Sequence, residues 1–127
     1  MSVRVLIVDD QAAFRDATRA VTEATDGFVV VGESETGEAS VDAARNLKPD
    51  LVLMDVNLPG INGLEATRRI LKESNGIVTV LLLSTYEEEE YGFKAAECGA
   101  RAYIAKSRFD PDRLTAAWDS SRTLQPG

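Results

Sequence analysis

Histidine is missing from this chain altogether, and cysteine occurs once, at Cys98. Without an imidazole there is no His-based acid–base catalysis, no His metal ligation and no phosphohistidine carrier role. One cysteine excludes an intramolecular disulfide and fits a reducing compartment. Its Ala-rich surroundings make Cys98 a small buried hydrophobe. Long apolar runs are also lacking: the longest, Ile77 to Leu83, falls far short of the ~20 residues that span a membrane. Met1 leads directly into a strand-like segment with no signal peptide, so the expected setting is cytoplasmic. Bases are scarce relative to acids, 14 against 21, for a net charge of -7. That balance disfavours direct contact with nucleic acid or an anionic membrane and leaves a basic partner protein open. Carboxylates, hydroxyls and lysine are the chemistry that remains.

The 127 residues suffice for one domain with a real core, and 44% hydrophobic content is ordinary for a globular chain. Val3-Arg4-Val5-Leu6-Ile7-Val8 is short, β-branched and almost wholly apolar, the pattern of a strand buried on both faces. Phe14, Ala17 and Val21 give helical spacing over about residues 11–24. A second strand covers Phe28 to Val31 and ends at Gly32. A helix follows from about Glu38 to Leu47, stopped by Pro49. Leu51 to Met54 is the third strand. Asn62 caps the next helix, with Glu65 at its third position, and Asn75-Gly76 ends it. Ile77 to Leu83 reads as a central strand. Tyr86 to Glu97 reads as one helix stopped by Gly99. Ala102 to Ala105 is the fifth strand, and Asp110-Pro111 opens the last helix, to Thr123. Five strands alternating with five helices predict an α/β fold, a parallel sheet covered by helices on both faces in three layers. Right-handed crossovers bring every strand's C-terminal end to one edge, where such sheets bind ligands.

Asp9-Asp10, Asp55, Ser84 and Lys106 each follow an apolar run directly, so they share that edge. Three carboxylates so close repel one another unless cations compensate. A divalent ion and the Lys106 ammonium bring the formal charge of the group to zero. All-oxygen ligation without His or Cys suits Mg2+ or Mn2+. The set suits phosphoryl transfer onto a carboxylate, with Asp55 as nucleophile, Lys106 and the metal neutralising phosphoryl oxygens, and Ser84 donating a hydrogen bond.

These residues, with Met54-Asp55-Val56-Asn57-Leu58-Pro59-Gly60 and Tyr103, resemble the receiver domain of two-component response regulators over about residues 3–122. Gly63-Leu64-Glu65-Ala66-Thr67 and the segment from Glu97 to Lys106 are similar to receivers of the LuxR/NarL/FixJ type. The resemblance implies a flavodoxin-like, doubly wound sheet in the order 2-1-3-4-5. It implies a receiver over 1–124, with 125–127 a tail or linker stub. In its terms Asp55 accepts a phosphoryl group from a sensor histidine kinase. Mg2+ is held by Asp10, Asp55 and the backbone carbonyl of Asn57, with Asp9 acting through water. Lys106, Ser84 and Thr85 bind the phosphoryl group, and Ser84 and Tyr103 form the switch. A homodimer on phosphorylation and a transcriptional output belong to the same expectation, with a stand-alone or phosphorelay receiver as the alternative. Two residues depart from the usual pattern. Ser107 stands where many members have a cis proline, which predicts a different loop or a strained one. Thr85 stands where Ala or Gly is usual. Asn57 also lies where an aspartyl-nucleophile phosphatase needs its second acid, so the chain is not expected to be a turnover enzyme. Glu87 to Glu90 reads as a solvated first helical turn. Tyr91, Phe93 and Trp118 are candidates for packing or partner contact.

Overall fold

The computed structural model describes residues 2–123; the tail expected at 125–127 lies outside the described residues. The elements are β1 (Val3–Val8), α1 (Ala12–Glu23), β2 (Phe28–Ser34), α2 (Gly37–Leu47), β3 (Leu51–Asp55), α3 (Gly63–Ser74), β4 (Thr79–Ser84), α4 (Glu88–Tyr91), α5 (Phe93–Cys98), β5 (Ala102–Ala105) and α6 (Pro111–Thr123). The five strands are all parallel, in the order β2-β1-β3-β4-β5. This is the doubly wound α/β arrangement the alternating pattern predicts.

Strand alternation sorts the core into two layers. Leu6, Val8, Val52, Met54, Val80, Leu82 and Tyr103 pack with Val41, Ala66, Ile70 and Cys98 of α2, α3 and α5. Val5, Ile7, Leu51, Leu53, Leu81, Leu83 and Ile104 pack with Leu114 and Trp118 of α6. Successive side chains point to opposite faces, so every second residue joins the same layer. Cys98 is buried as expected, and Trp118 lies edge-on to Phe28 with ring centroids 6.4 Å apart.

Caps and turns follow the sequence signals. The Thr36 hydroxyl accepts from the Ala39 N–H at 3.0 Å, and the Asn62 side chain accepts from the Glu65 N–H at 2.9 Å. Asp110 accepts from the Arg113 N–H at 2.8 Å at the start of α6. Lys48 and Asn75 close α2 and α3 in the left-handed conformation.

Four local expectations need correction. The helix expected from Tyr86 to Glu97 is in two pieces that meet at Gly92, where the Ala95 N–H bonds back only three residues, to the Gly92 carbonyl. Glycine within a helix costs about 1 kcal/mol relative to alanine, and only two turns of helix are at hand to offset it. The buried stripe of α1 is Thr18 and Thr22, while Ala17 is exposed. The Thr22 hydroxyl donates to the Thr18 carbonyl at 2.8 Å, which satisfies a polar group in the core and shifts the stripe one residue from the apolar pattern. β2 runs on through Gly32 to Ser34, with a register shift opposite Val5 and Leu6. β4 begins at Thr79, and Ile77, expected within the strand, is 81% exposed.

Candidate functional site

The register across the sheet sets the geometry of its C-terminal edge. Val8 pairs with Met54, Met54 with Leu82, and Leu82 with Tyr103. Asp9 and Asp55 therefore leave the sheet at one level, with Ser84 and Lys106 just beyond. Asp9 and Asp55 are buried, at 3% and 5% exposed, while Asp10 faces solvent. One carboxylate oxygen from each of Asp9, Asp10 and Asp55 lies within 4.8 Å of the others.

Lys106 closes the cluster from β5. Its ammonium donates to Asp9 Oδ2 at 2.7 Å and lies 3.3 Å from Asp55 Oδ1. Asp9 Oδ1 accepts from the Gln11 N–H at 3.0 Å, so both oxygens of Asp9 are held by the protein. Burial pushes the Asp55 carboxyl up to about 6; the Lys106 cation opposes this, the Asp9 charge adds to it, and the Asn57 N–H opposes it again. A carboxyl raised by burial beside two further acids and one ammonium is short of positive charge. Its donors are all oxygens. The residues present therefore fit a hard divalent cation.

Ser84 and Tyr103 belong to the opposite layer. Ser84 is fully buried, and its Oγ accepts from the Tyr86 N–H at 3.2 Å. Tyr103 is buried with its hydroxyl donating to the Tyr86 carbonyl at 2.9 Å. The two hydroxyls thus hold both backbone polar groups of a single residue, at the entry to α4. Tyr86 packs in turn against Tyr91, ring centroids 4.5 Å apart and planes tilted by 43°. Thr85 is exposed at the bend between Ser84 and Tyr86, and Phe93 at the start of α5 is 60% exposed.

The loop after Asp55 carries Asn57 and is pinned at both ends. The Val56 N–H donates to the Leu83 carbonyl at 3.1 Å and the Gly63 N–H to the Val56 carbonyl at 2.9 Å. A Cβ at Gly63 would overlap the Asp55 carbonyl oxygen. Glu38 of α2 accepts from the Ile61 N–H at 3.3 Å. After Lys106 the chain turns through a short 3-10 segment, Lys106–Arg108, and no peptide bond among the described residues is cis. The bond before Ser107 is thus trans, without the costly isomer.

Three further residues reach the site. Arg15 donates to the Asp9 carbonyl at 2.9 Å and pairs with Glu33 at 3.3 Å and Glu35 at 3.1 Å. Phe14 lies against the Lys106 ammonium. Glu38 steadies the Asn57 loop. The available signal for the first two was their place in the first turn of α1, since helical side chains lean back toward the N-terminus and here onto the end of β1. A cavity of about 610 Å3 lies elsewhere, between α2 and α3 at the other edge of the sheet, and none of the predicted site residues lines it.

The family model for the response regulator receiver domain matches residues 5–119. The chain belongs to that family. It is 42% identical to the response regulator GacA of Pseudomonas viridiflava over 104 residues, 82% of this chain and 48% of that protein. It is 39% identical to the response regulator UvrY of Escherichia coli K12 over 114 residues, 90% of this chain and 52% of that protein. Among solved structures, a LuxR-family two-component response regulator from Aurantimonas sp. SI85-9A1 matches with a TM-score of 0.83 and 32% identity, over 95% of this chain and 85% of that one. The chain spans about half the length of the curated relatives it matches. These relatives are signalling proteins. Among the described residues no helix is long and apolar enough to cross a membrane.

Proposed function

We propose that this receiver is a phosphorylation-dependent signalling switch with Asp55 as the phospho-acceptor. One observation carries the reading: Asp55 is a buried strand-end carboxylate with the Lys106 ammonium 3.3 Å away and the Asp9 and Asp10 carboxylates beside it. An Asp55 oxygen attacks phosphorus, the bond to the donor's imidazole nitrogen breaks, and that nitrogen keeps the electron pair and takes a proton. The donor is a phosphohistidine of a sensor histidine kinase, in keeping with a chain that has no histidine of its own. Lys106, Ser84 and Thr85 bind the phosphoryl oxygens. Asp10, Asp55 and the Asn57 carbonyl would hold Mg2+ or Mn2+, with Asp9 acting through water. When bound, the ion supplies positive charge to the phosphoryl oxygens. Asp9, committed to Lys106 and Gln11, suits the indirect role.

The switch follows from the Tyr86 clamp. The phosphoryl group carries roughly -1.5 to -2 charges and takes the place of the single negative charge of the Asp55 carboxylate. Its oxygens take the Ser84 O–H as a donor and pull the side chain toward Asp55, away from the Tyr86 N–H that the Ser84 Oγ accepts in this structure. Drawing Ser84 away loosens Tyr86, and Tyr103 with it, which shifts the face of α4 and β5. A change from 1:99 to 99:1 needs about 5.5 kcal/mol of differential interaction. The reading includes a cytoplasmic setting, a homodimer on phosphorylation and a transcriptional output, by likeness to the regulators it matches. The test is intact mass after treatment with acetyl phosphate and Mg2+. Wild type should gain one slowly lost phosphate and Asp55→Asn none; an equal gain by the Asn variant would refute the assignment.

A further inference from the structure

We infer that Phe14 is a positioning residue for Lys106, holding the ammonium against Asp9 and Asp55 through its π face. The Lys106 Nζ lies 4.0 Å from the centroid of the Phe14 ring, 2.7 Å from Asp9 Oδ2 and 3.3 Å from Asp55 Oδ1. The lysine side chain is 12% exposed, so little water competes. Two carboxylates and one ring thus surround a single cation.

The three neighbours differ in kind. A carboxylate attracts the ammonium by taking one of its three N–H donors. The ring attracts it through its quadrupole. Phosphoryl transfer to Asp55, on the reading above, requires Lys106 to turn a donor from a carboxylate to a phosphoryl oxygen. A π face keeps the charge in place during that exchange without tying up a donor. A leucine of similar bulk would fill the same first turn of α1 and exclude water, but would give no such attraction. Phe14 acts through Lys106 and touches no reacting atom in this role.

The test uses Phe14→Leu, Phe14→Trp and a series with one, two and three fluorines on the Phe14 ring. Fluorination drains the ring face while nearly keeping its shape, which separates the π contribution from packing. In the unphosphorylated protein, the Lys106 ε-methylene NMR signals should show a ring-current displacement that is lost in the Leu variant and kept in the Trp variant. The rate of loading by acetyl phosphate with Mg2+ should fall roughly 5- to 30-fold in the Leu variant. It should fall stepwise with each fluorine and recover in the Trp variant. An unchanged ε-methylene signal in Phe14→Leu, or a flat rate across the fluorinated series, would overturn the inference. Failure of the wild type to load at all would instead refute the phospho-acceptor reading, and the NMR arm still decides the Phe14 contact.

Discussion

Replacing Asp55 by asparagine is expected to stabilise the metal-free protein above about pH 7, although it removes the residue on which the proposed function depends. In the fold the Asp55 side chain is 7% exposed and its pKa is raised from 3.8 to about 6, chiefly by burial, with the Lys106 attraction and the Asp9 repulsion partly cancelling. The folded state therefore holds this proton more tightly than the unfolded chain does. The stability it contributes is full below the unfolded value and is lost as pH rises through the folded one. At about 1.36 kcal/mol per pH unit, the rise amounts to a penalty of about 3 kcal/mol once the group is fully ionised. Near pH 5 roughly half of that penalty remains. Asparagine has nearly the same shape and carries no charge to desolvate. Urea unfolding of both proteins in a chelator, from about pH 5 to about pH 8, reads the difference while the other titrating groups cancel. The Asn variant should be more stable, and its advantage should grow with pH. Equal stability near pH 8, or an advantage that does not change with pH, would refute the burial argument. Mg2+ should narrow the gap, since a ligand at a hundredfold excess over its Kd adds about 2.7 kcal/mol to the state that binds it.

Three further outcomes are expected. Lys106→Met leaves Asp9 and Asp55 without their cation and should cost about 3 kcal/mol near neutral pH; an NMR titration of Asp55 should find its pKa higher still. Gly63→Ala forces a methyl onto the Asp55 carbonyl and should cost upwards of about 2 kcal/mol, visible as a lower Tm. Tyr103→Phe removes the donor to the Tyr86 carbonyl; a stability loss of about 1 kcal/mol with faster amide exchange at the start of α4 is the expected result, and unchanged exchange there would show that the clamp has no hold on this segment.

Much of the fold and the outline of the site were legible in the sequence because they are local properties. Each short apolar run is a strand, four of the five end directly in a polar residue, and the parallel crossover rule carries all those ends to one edge. Asp9, Asp10, Asp55, Ser84 and Lys106 could therefore be gathered before any distance was known. Tertiary structure alone decided which acids are buried, which oxygen Lys106 takes, and that Ser84 and Tyr103 grip the same residue, Tyr86. It also turned Thr18 and Thr22 inward and laid Phe14 and Arg15 over the end of β1. The Lys106–Asp9 bond joins residues 97 apart in the chain. Such a contact depends on register between strands and on the rotation of a helix about its axis. Neither is encoded in any one segment; both are fixed when the two core layers pack.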